Sequence, residues 1–188
     1  MDRRATRWHI VPLVAALLVG GTVTSTAPGI ARAAALIGPV AAPRTADTVK
    51  PSPTRLYACA KLISLAQLRK VTGLPDATSV PGSSAGLPKG ETYCQFLAHR
   101  GALSIALTVW TGPSRASFDR LWAAGASAEK VAGIGDAARI SVPNRAGAAR
   151  VGGTGIAVVL AETGTKGLAG VNVRSAIRGI LAVVAKRV

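Results

Sequence analysis

The chain has 188 residues, a length typical of one domain preceded by a leader or a tail. Its 23 lysine and arginine residues outnumber its 8 aspartate and glutamate residues, which gives a formal net charge of +15 and favours anionic partners. A solvated basic surface is the simpler explanation of this charge. Two cysteines and the one histidine beyond residue 33 cannot supply a four-ligand zinc site unless carboxylates are recruited.

Residues 1–33 have the three parts of a secretory signal peptide. The positive first part contains Arg3, Arg4 and Arg7. An apolar run over 10–23 follows, shorter than the roughly 20 residues that span a bilayer, and small residues then end in an Ala-x-Ala site at Ala33. We therefore predict export to a secreted, extracellular or cell-wall location. The alternative is a protein that an uncleaved N-terminal segment anchors to the membrane.

Residues 34–56 are predicted to form a disordered linker. The segment holds four prolines among threonine, alanine and single charges, and it shows no helical or strand period. The folded domain is therefore predicted to span 57–188.

The first predicted helix has clear start and stop signals. Ser64 is a predicted N-cap, and Gln67 three residues later completes a capping box. Gly73 ends the helix. Cys59 lies just before it.

A predicted antiparallel hairpin follows, with strands at 91–98 and 103–110 around a turn at 99–102. One face of the hairpin is apolar. The other face is predicted to be the outer one and is our candidate binding surface, with Tyr93, Gln95, Thr108 and Trp110. The alternative is that neighbouring structure covers this face, which would then not be a binding surface.

The second half of the chain predicts two more helices and three more strands. Pro113 opens a helix to about residue 126, and its buried stripe contains Phe118, Leu121 and Trp122. The strands are predicted at 139–142, 147–152 and 155–161, and an amphipathic helix at about 168–187. The order α-β-β-α-β-β-β-α predicts a two-layer α+β domain, in which helices pack on one face of an antiparallel sheet of about five strands.

Catalytic signals are few. His99 lies in the predicted hairpin turn with no acid or nucleophile placed beside it, so no triad is predicted. The carboxylates are scattered, with no pair at i,i+3 or i,i+4. We predict a protein that is not an enzyme, with no catalytic residue, no cofactor and no metal. It has no nucleic-acid-binding motif, so no specific nucleic-acid binding is predicted.

The sequence Gly133-x-Gly135-x-x-Ala138 resembles a dinucleotide-binding pattern superficially. That mechanism needs a helix after the glycines, whereas strand-type residues follow here. We interpret the segment as a tight turn in which the Asp136 carboxylate accepts hydrogen bonds from nearby backbone N–H groups.

The two cysteines, Cys59 and Cys94, are predicted to form a structural disulfide. An exported chain with two cysteines more often holds a disulfide than free thiols, and neither cysteine has a C-x-x-C context. A free, reactive pair is the alternative.

The chain resembles a family of small exported domains that are abundant in actinobacteria, often lipid-anchored, and without an assigned function. The resemblance covers about residues 57–187. It rests on Cys59 before a Ser-capped helix, on Cys94 in a strand with Phe96, and on the Gly-Ile-Gly-Asp-Ala-Ala turn that begins at Gly133. It implies a disulfide, an α+β fold and a cell-surface location, and no catalytic residue. The chain departs from the family in lacking the lipid-anchor cysteine.

We therefore expect a secreted or cell-envelope-associated, non-enzymatic domain that binds an anionic cell-wall polymer or an envelope protein. The membrane is an expected partner only with an uncleaved signal segment, and no oligomeric state is predicted. The alternative is a carrier of a small apolar ligand, with a pocket near Trp122. An apolar cavity of a few hundred Å³ would favour that function.

Overall fold

The structure, a computed structural model, describes residues 53–81, 86–163 and 167–188. The predicted signal peptide and residues 34–52 of the predicted linker lie outside the described residues. Four α-helices occur in the described part: α1 (Cys59–Leu62), α2 (Leu65–Thr72), α3 (Arg115–Ala124) and α4 (Val173–Ala185). Short 3₁₀ turns occur at His99–Gly101 and Gly112–Ser114.

One antiparallel sheet organises the described part of the chain. Its strands are β1 (Thr78–Val80), β2 (Glu91–Ala98), β3 (Leu103–Trp110), β4 (Glu129–Val131), β5 (Ala137–Ser141), β6 (Ala146–Val151) and β7 (Thr154–Glu162). Their spatial order is β1-β2-β3-β7-β6-β5-β4. The last strand of the described residues, β7, therefore lies beside β3 at the centre of the sheet.

The predicted start and end of the first long helix are confirmed. The backbone N–H of Gln67 donates to the Ser64 hydroxyl at 3.3 Å, and the Ser64 N–H donates to the Gln67 side chain at 3.2 Å. Gly73 ends α2 with a φ of 71°, a left-handed conformation that favours glycine.

The first face of the sheet carries the main core. Alternate residues of β2 and β3 point into it, because successive side chains of a strand face opposite sides. Helices α2 and α4 cover this face, and α4 buries Ala176, Ile177, Ile180, Leu181 and Val184. A Cβ atom at Gly147 would lie 2.3 Å from Ile177, so α4 packs directly against the backbone of β6.

The second face carries a smaller core beneath α3. Trp110, Phe118, Ala148 and Ala157 are buried there together. A Cβ atom at Gly155 would lie 2.2 Å from the Phe118 ring, so the absence of a side chain on β7 creates the space that Phe118 fills. Helices therefore pack on both faces of the sheet.

The α+β class and the antiparallel sheet are confirmed, but the predicted strand number and layering are wrong. The described chain has seven strands rather than about five, and α3 lies opposite α2 and α4. The additional strands β1 and β4 have three residues each, too short to show a period of two. The apolar stripe of α3 predicts that one side of this helix is buried. It does not indicate against which face of the sheet the helix packs.

The predicted disulfide is confirmed. Cys59 in the first turn of α1 is bonded to Cys94 in the middle of β2, and the two Cα atoms are 5.6 Å apart. The sulfur of Cys94 lies in the main core, where the residue is fully buried. The bond therefore joins the start of the described domain to its central sheet.

Candidate functional site

The four residues of the candidate binding surface share the second face of the sheet. Tyr93 and Thr108 are direct cross-strand neighbours, while Gln95 donates to the Ser104 hydroxyl at 3.0 Å. Trp110 and Thr108 are each only 5% exposed, because α3 and its Phe118 ring cover this end of the face. Tyr93 and Gln95 are half-buried and reach the surface. The binding role of the four residues stays a prediction.

Glu91 extends this row of residues along β2, directly opposite Trp110. Burial raises the pKa of the Glu91 carboxyl above its ordinary value, and a hydrogen bond with the Trp110 side chain offsets part of that effect. Burial also raises the pKa of the Tyr93 hydroxyl. This end of the face therefore favours the neutral forms of its ionisable groups.

Replacing Glu91 by glutamine is expected to favour the folded state more at neutral pH than at acid pH. Folding raises the pKa of this carboxyl, so its contribution to stability is complete below the ordinary value of 4.5 and declines as pH rises through the folded value. Glutamine has no such decline. Urea unfolding at about pH 4 and about pH 7 measures the difference.

The matched control is Glu129→Gln, at an exposed carboxyl whose pKa is lowered by its hydrogen bond with Arg174. This lowered pKa contributes stability above the ordinary value and loses it as pH falls, so the control should respond to pH with the opposite sign. An effect of Glu91→Gln that is equal at the two pH values would contradict the assignment.

An arginine–tryptophan cluster lies beside α3 on the same face of the sheet; it contains Arg115, Asp119, Trp122, Arg139 and Arg150. The guanidinium carbons of Arg139 and Arg150 lie 4.5 and 4.6 Å from the centre of the Trp122 ring. That of Arg115 lies 5.0 Å from the Phe118 ring. Each distance is within the range of cation–π attraction.

A single carboxylate oxygen links two of these arginines. Oδ1 of Asp119 accepts from Nε of Arg115 at 3.1 Å and from Nη2 of Arg150 at 3.2 Å. Arg139 donates to the backbone carbonyl of Trp122 at 3.1 Å. Nε of Arg150 is buried and has no hydrogen-bond partner among the described residues. The cluster thus holds three guanidinium groups against one carboxylate.

The charges of the cluster act on one another. Burial lowers the pKa of the Arg150 guanidinium most strongly, the Asp119 carboxylate opposes this effect, and the positive charges of Arg115 and Arg139 add to it. The cluster therefore carries more positive than negative charge. The sequence does not predict it, although Arg139 and Arg150 both occupy second-face positions of their strands.

A second basic surface, the basic helical layer, lies on the outer side of α1, α2 and α4. It contains the exposed residues Lys61, Arg69, Lys70, Arg178, Lys186 and Arg187. None of these three helices contains an aspartate or a glutamate. Arg174 of α4 also faces solvent, but it forms an ion pair with Glu129.

An open groove of about 250 Å³ lies near the start of the described domain, between Tyr57, the β6–β7 turn and Val188. Trp122, near which the pocket of an apolar carrier is predicted, is not among the residues that line this groove. Phe118 fills the space between α3 and the sheet and is fully buried. The carrier function therefore stays a prediction.

Other sequence predictions have specific outcomes. The Asp136 carboxylate accepts a hydrogen bond from a backbone N–H, but the donor is Gly152 of the β6–β7 turn rather than a neighbour within its own turn. His99 lies in the predicted hairpin turn, where its Nδ1 atom is 3.1 Å from the Gly167 carbonyl oxygen.

Within 53–81, 86–163 and 167–188, no three histidine, cysteine or acidic side chains are grouped so that they could hold a metal ion. Likewise, none of the described helices combines the length and apolarity of a bilayer-spanning segment.

Comparisons with protein-family models, curated proteins and solved structures find no match to this chain. The resemblance to small exported domains therefore stays a prediction.

Proposed function

We propose that the protein is a secreted or cell-envelope-associated, non-enzymatic domain that binds an anionic polymer of the cell wall. The observation that carries the proposal is the basic helical layer, in which four exposed cationic residues lie on helices without one acidic residue and two more, Lys186 and Arg187, directly follow α4. A surface with one sign of charge attracts polymers of the opposite sign.

The cations of the basic helical layer lie on elements that pack against one another. A Cβ atom at Gly179 would lie 2.7 Å from the Val71 side chain, so α2 and α4 approach closely where Lys70 and Arg178 are exposed. At the other end, Arg187 donates to the Lys61 carbonyl at 2.9 Å and to the Gln67 side chain at 3.1 Å. The positive charges therefore form one layer rather than scattered points.

A polymer with repeated negative charges is the partner that suits such a layer, because many weak and solvent-exposed attractions act together. Each exposed pair contributes little and is screened by salt over about 8–10 Å. Binding should therefore require several cations at once and weaken steeply as salt is added. A merely solvated basic surface, the simpler explanation of the charge, predicts no retention at moderate salt.

The triple variant Lys61→Gln/Lys70→Gln/Arg178→Gln is expected to lose retention on purified cell-wall fractions at a salt concentration where the native protein is still retained. Glutamine keeps a good helix propensity while it removes the charge. The measurement is the salt concentration of elution from immobilised wall polymer, with poly-glutamate as a defined second polymer.

The matched control is Lys89→Gln/Arg120→Gln/Lys130→Gln, which removes the same charge from exposed positions outside the basic helical layer. It should elute near the native protein. The proposal would be contradicted if both variants eluted at the same salt concentration, or if the native protein were not retained at moderate salt. Loss of retention after protease treatment of the wall fraction would point to an envelope protein, and retention only on anionic lipid vesicles would point to a membrane surface; either result contradicts a polymer partner.

A further inference from the structure

We propose that the arginine–tryptophan cluster is a binding site for a phosphate group, and that Asp119 occupies the place which one phosphate oxygen would take. The proposal does not depend on polymer binding, because the cluster lies on the second face of the sheet and the basic helical layer covers the first. It would give the protein a site for a phosphorylated small molecule or for a phosphate group on a larger one.

The donor geometry points to an oxyanion. Arg115 and Arg150 come from α3 and β6, which are separate elements, yet both donate to the same oxygen of Asp119. Guanidinium groups present planar forks of N–H donors that match carboxylate and phosphate oxygens. The position of Oδ1 of Asp119 is thus a point at which N–H donors of two guanidinium groups converge.

The charge of the cluster indicates a phosphate rather than a single carboxylate. The described cluster has three guanidinium groups and one carboxylate, which Arg115 and Arg150 contact, so it keeps two positive charges in excess. A phosphomonoester carries a charge of about −1.5 to −2 near pH 7 and three strong acceptor oxygens. Asp119 supplies only one charge, and the Nε–H of Arg150 has no acceptor among the described residues.

The site is open where a ligand would enter. The side chain of Asp119 is 48% exposed and that of Arg150 is 35% exposed, whereas Arg115 is only 11% exposed. An exposed aspartate on a helix surface can swing into solvent at little cost, since exposed ion pairs contribute little to stability. The arginines are held more firmly, because they stack on the rings of Phe118 and Trp122.

A purely structural role is the competing explanation. In that case, the arginines fasten α3 to the sheet through their aromatic contacts and Asp119 is their permanent counter-ion. The two explanations differ in what removal of the Asp119 charge does. If Asp119 is a structural counter-ion, removing its charge only lowers the stability of the protein. If Asp119 competes with phosphate, removing its charge raises the affinity for phosphate.

The decisive experiment titrates inorganic phosphate into the native protein and into Asp119→Asn, with calorimetry and tryptophan fluorescence as readouts. We expect weak binding to the native protein and binding about five- to tenfold tighter to Asp119→Asn, because one competing charge is removed at a partly solvated site. The tryptophan emission should change in both, because a bound phosphate alters the electric field at the Trp122 ring on which Arg139 and Arg150 stack. Arg150→Gln should abolish binding, and its circular dichroism and thermal unfolding show whether it still folds.

Three comparisons make the outcome specific. Acetate at equal concentration should bind more weakly than phosphate. The triple variant of the basic helical layer, Lys61→Gln/Lys70→Gln/Arg178→Gln, should bind phosphate as the native protein does, so this test and the polymer test can fail separately. Unchanged or weaker phosphate binding by a folded Asp119→Asn, or equal binding of acetate and phosphate, would overturn the proposal.

Discussion

Reducing the Cys59–Cys94 disulfide is expected to lower the free energy of unfolding by about 3–4 kcal/mol. In the chain-entropy model, a bond that closes a loop of this length restricts the unfolded chain by about that amount. The two cysteines are 35 residues apart in sequence, and they are the only cysteines in the chain. No other thiol can therefore exchange with the pair during the measurement.

The location of the bond suggests where the reduced protein loosens first. Helix α1 has only four residues, too few to be stable alone, and the disulfide holds its first residue to β2. Its other attachments include the buried side chain of Leu62 and the hydrogen bond from Arg187 to the Lys61 carbonyl at 2.9 Å. Beside the helix, Ile63 is buried and the Tyr57 N–H donates to the Thr92 hydroxyl at 3.0 Å. Hydrogen exchange should increase in α1 before it increases in β3 or β7.

Urea unfolding of the oxidised and the reduced native protein tests this prediction, since the side chains stay the same. The double variant Cys59→Ala/Cys94→Ala serves as a control in the absence of reductant, although it also leaves a small cavity at the fully buried Cys94. It should therefore be slightly less stable than the reduced protein. A reduced protein that unfolds at the same urea concentration as the oxidised one would show that the cross-link contributes nothing.

The features that sequence predicts well are those whose signals are local. The hairpin of β2 and β3 follows from apolar residues at every second position of two eight-residue segments that flank one turn. The start of α2 follows from Ser64 and Gln67, which bond to each other across three residues. The cysteine pairing follows from there being no other partner in the chain.

The features that sequence misses depend on contacts between distant segments. The apolar stripe of α3 is visible in sequence, but its location on the second face depends on Gly155, nearly forty residues later in the chain. Strands β1 and β4 exist because they pair with longer neighbours, Thr78 with Leu97 and Glu129 with Ile140. Neither strand has enough residues to show a pattern of its own.

The same limit applies to the arginine–tryptophan cluster. Its arginines come from α3, β5 and β6, and each alone is indistinguishable from a solvated surface arginine. Only the placement of α3 brings them around Trp122. The basic helical layer, in contrast, can be recognised once the helices are known, because the absence of acidic residues on them is a property of the sequence.

Replacing Phe118 by alanine is expected to destabilise the protein by about 3–5 kcal/mol, the range found when a buried aromatic side chain is truncated. Phe118 is fully buried, and its ring centre lies 5.6 Å from that of Trp110 and 5.8 Å from that of Trp122. Its removal leaves a cavity at the centre of the smaller core. Leu121→Ala, at a half-buried position of the same helix, should cost less.

A double-mutant cycle with Gly155→Ala makes this prediction specific to the packing of α3 on β7. Alone, Gly155→Ala should destabilise, because its Cβ atom would lie 2.2 Å from Cγ of Phe118. In Phe118→Ala the new methyl group instead enters the cavity, so the double variant should be more stable than the sum of the two single effects requires. Urea unfolding of the four proteins measures this coupling. Additive effects would mean that Phe118 does not rest on Gly155, and α3 would then have to pack elsewhere on the sheet.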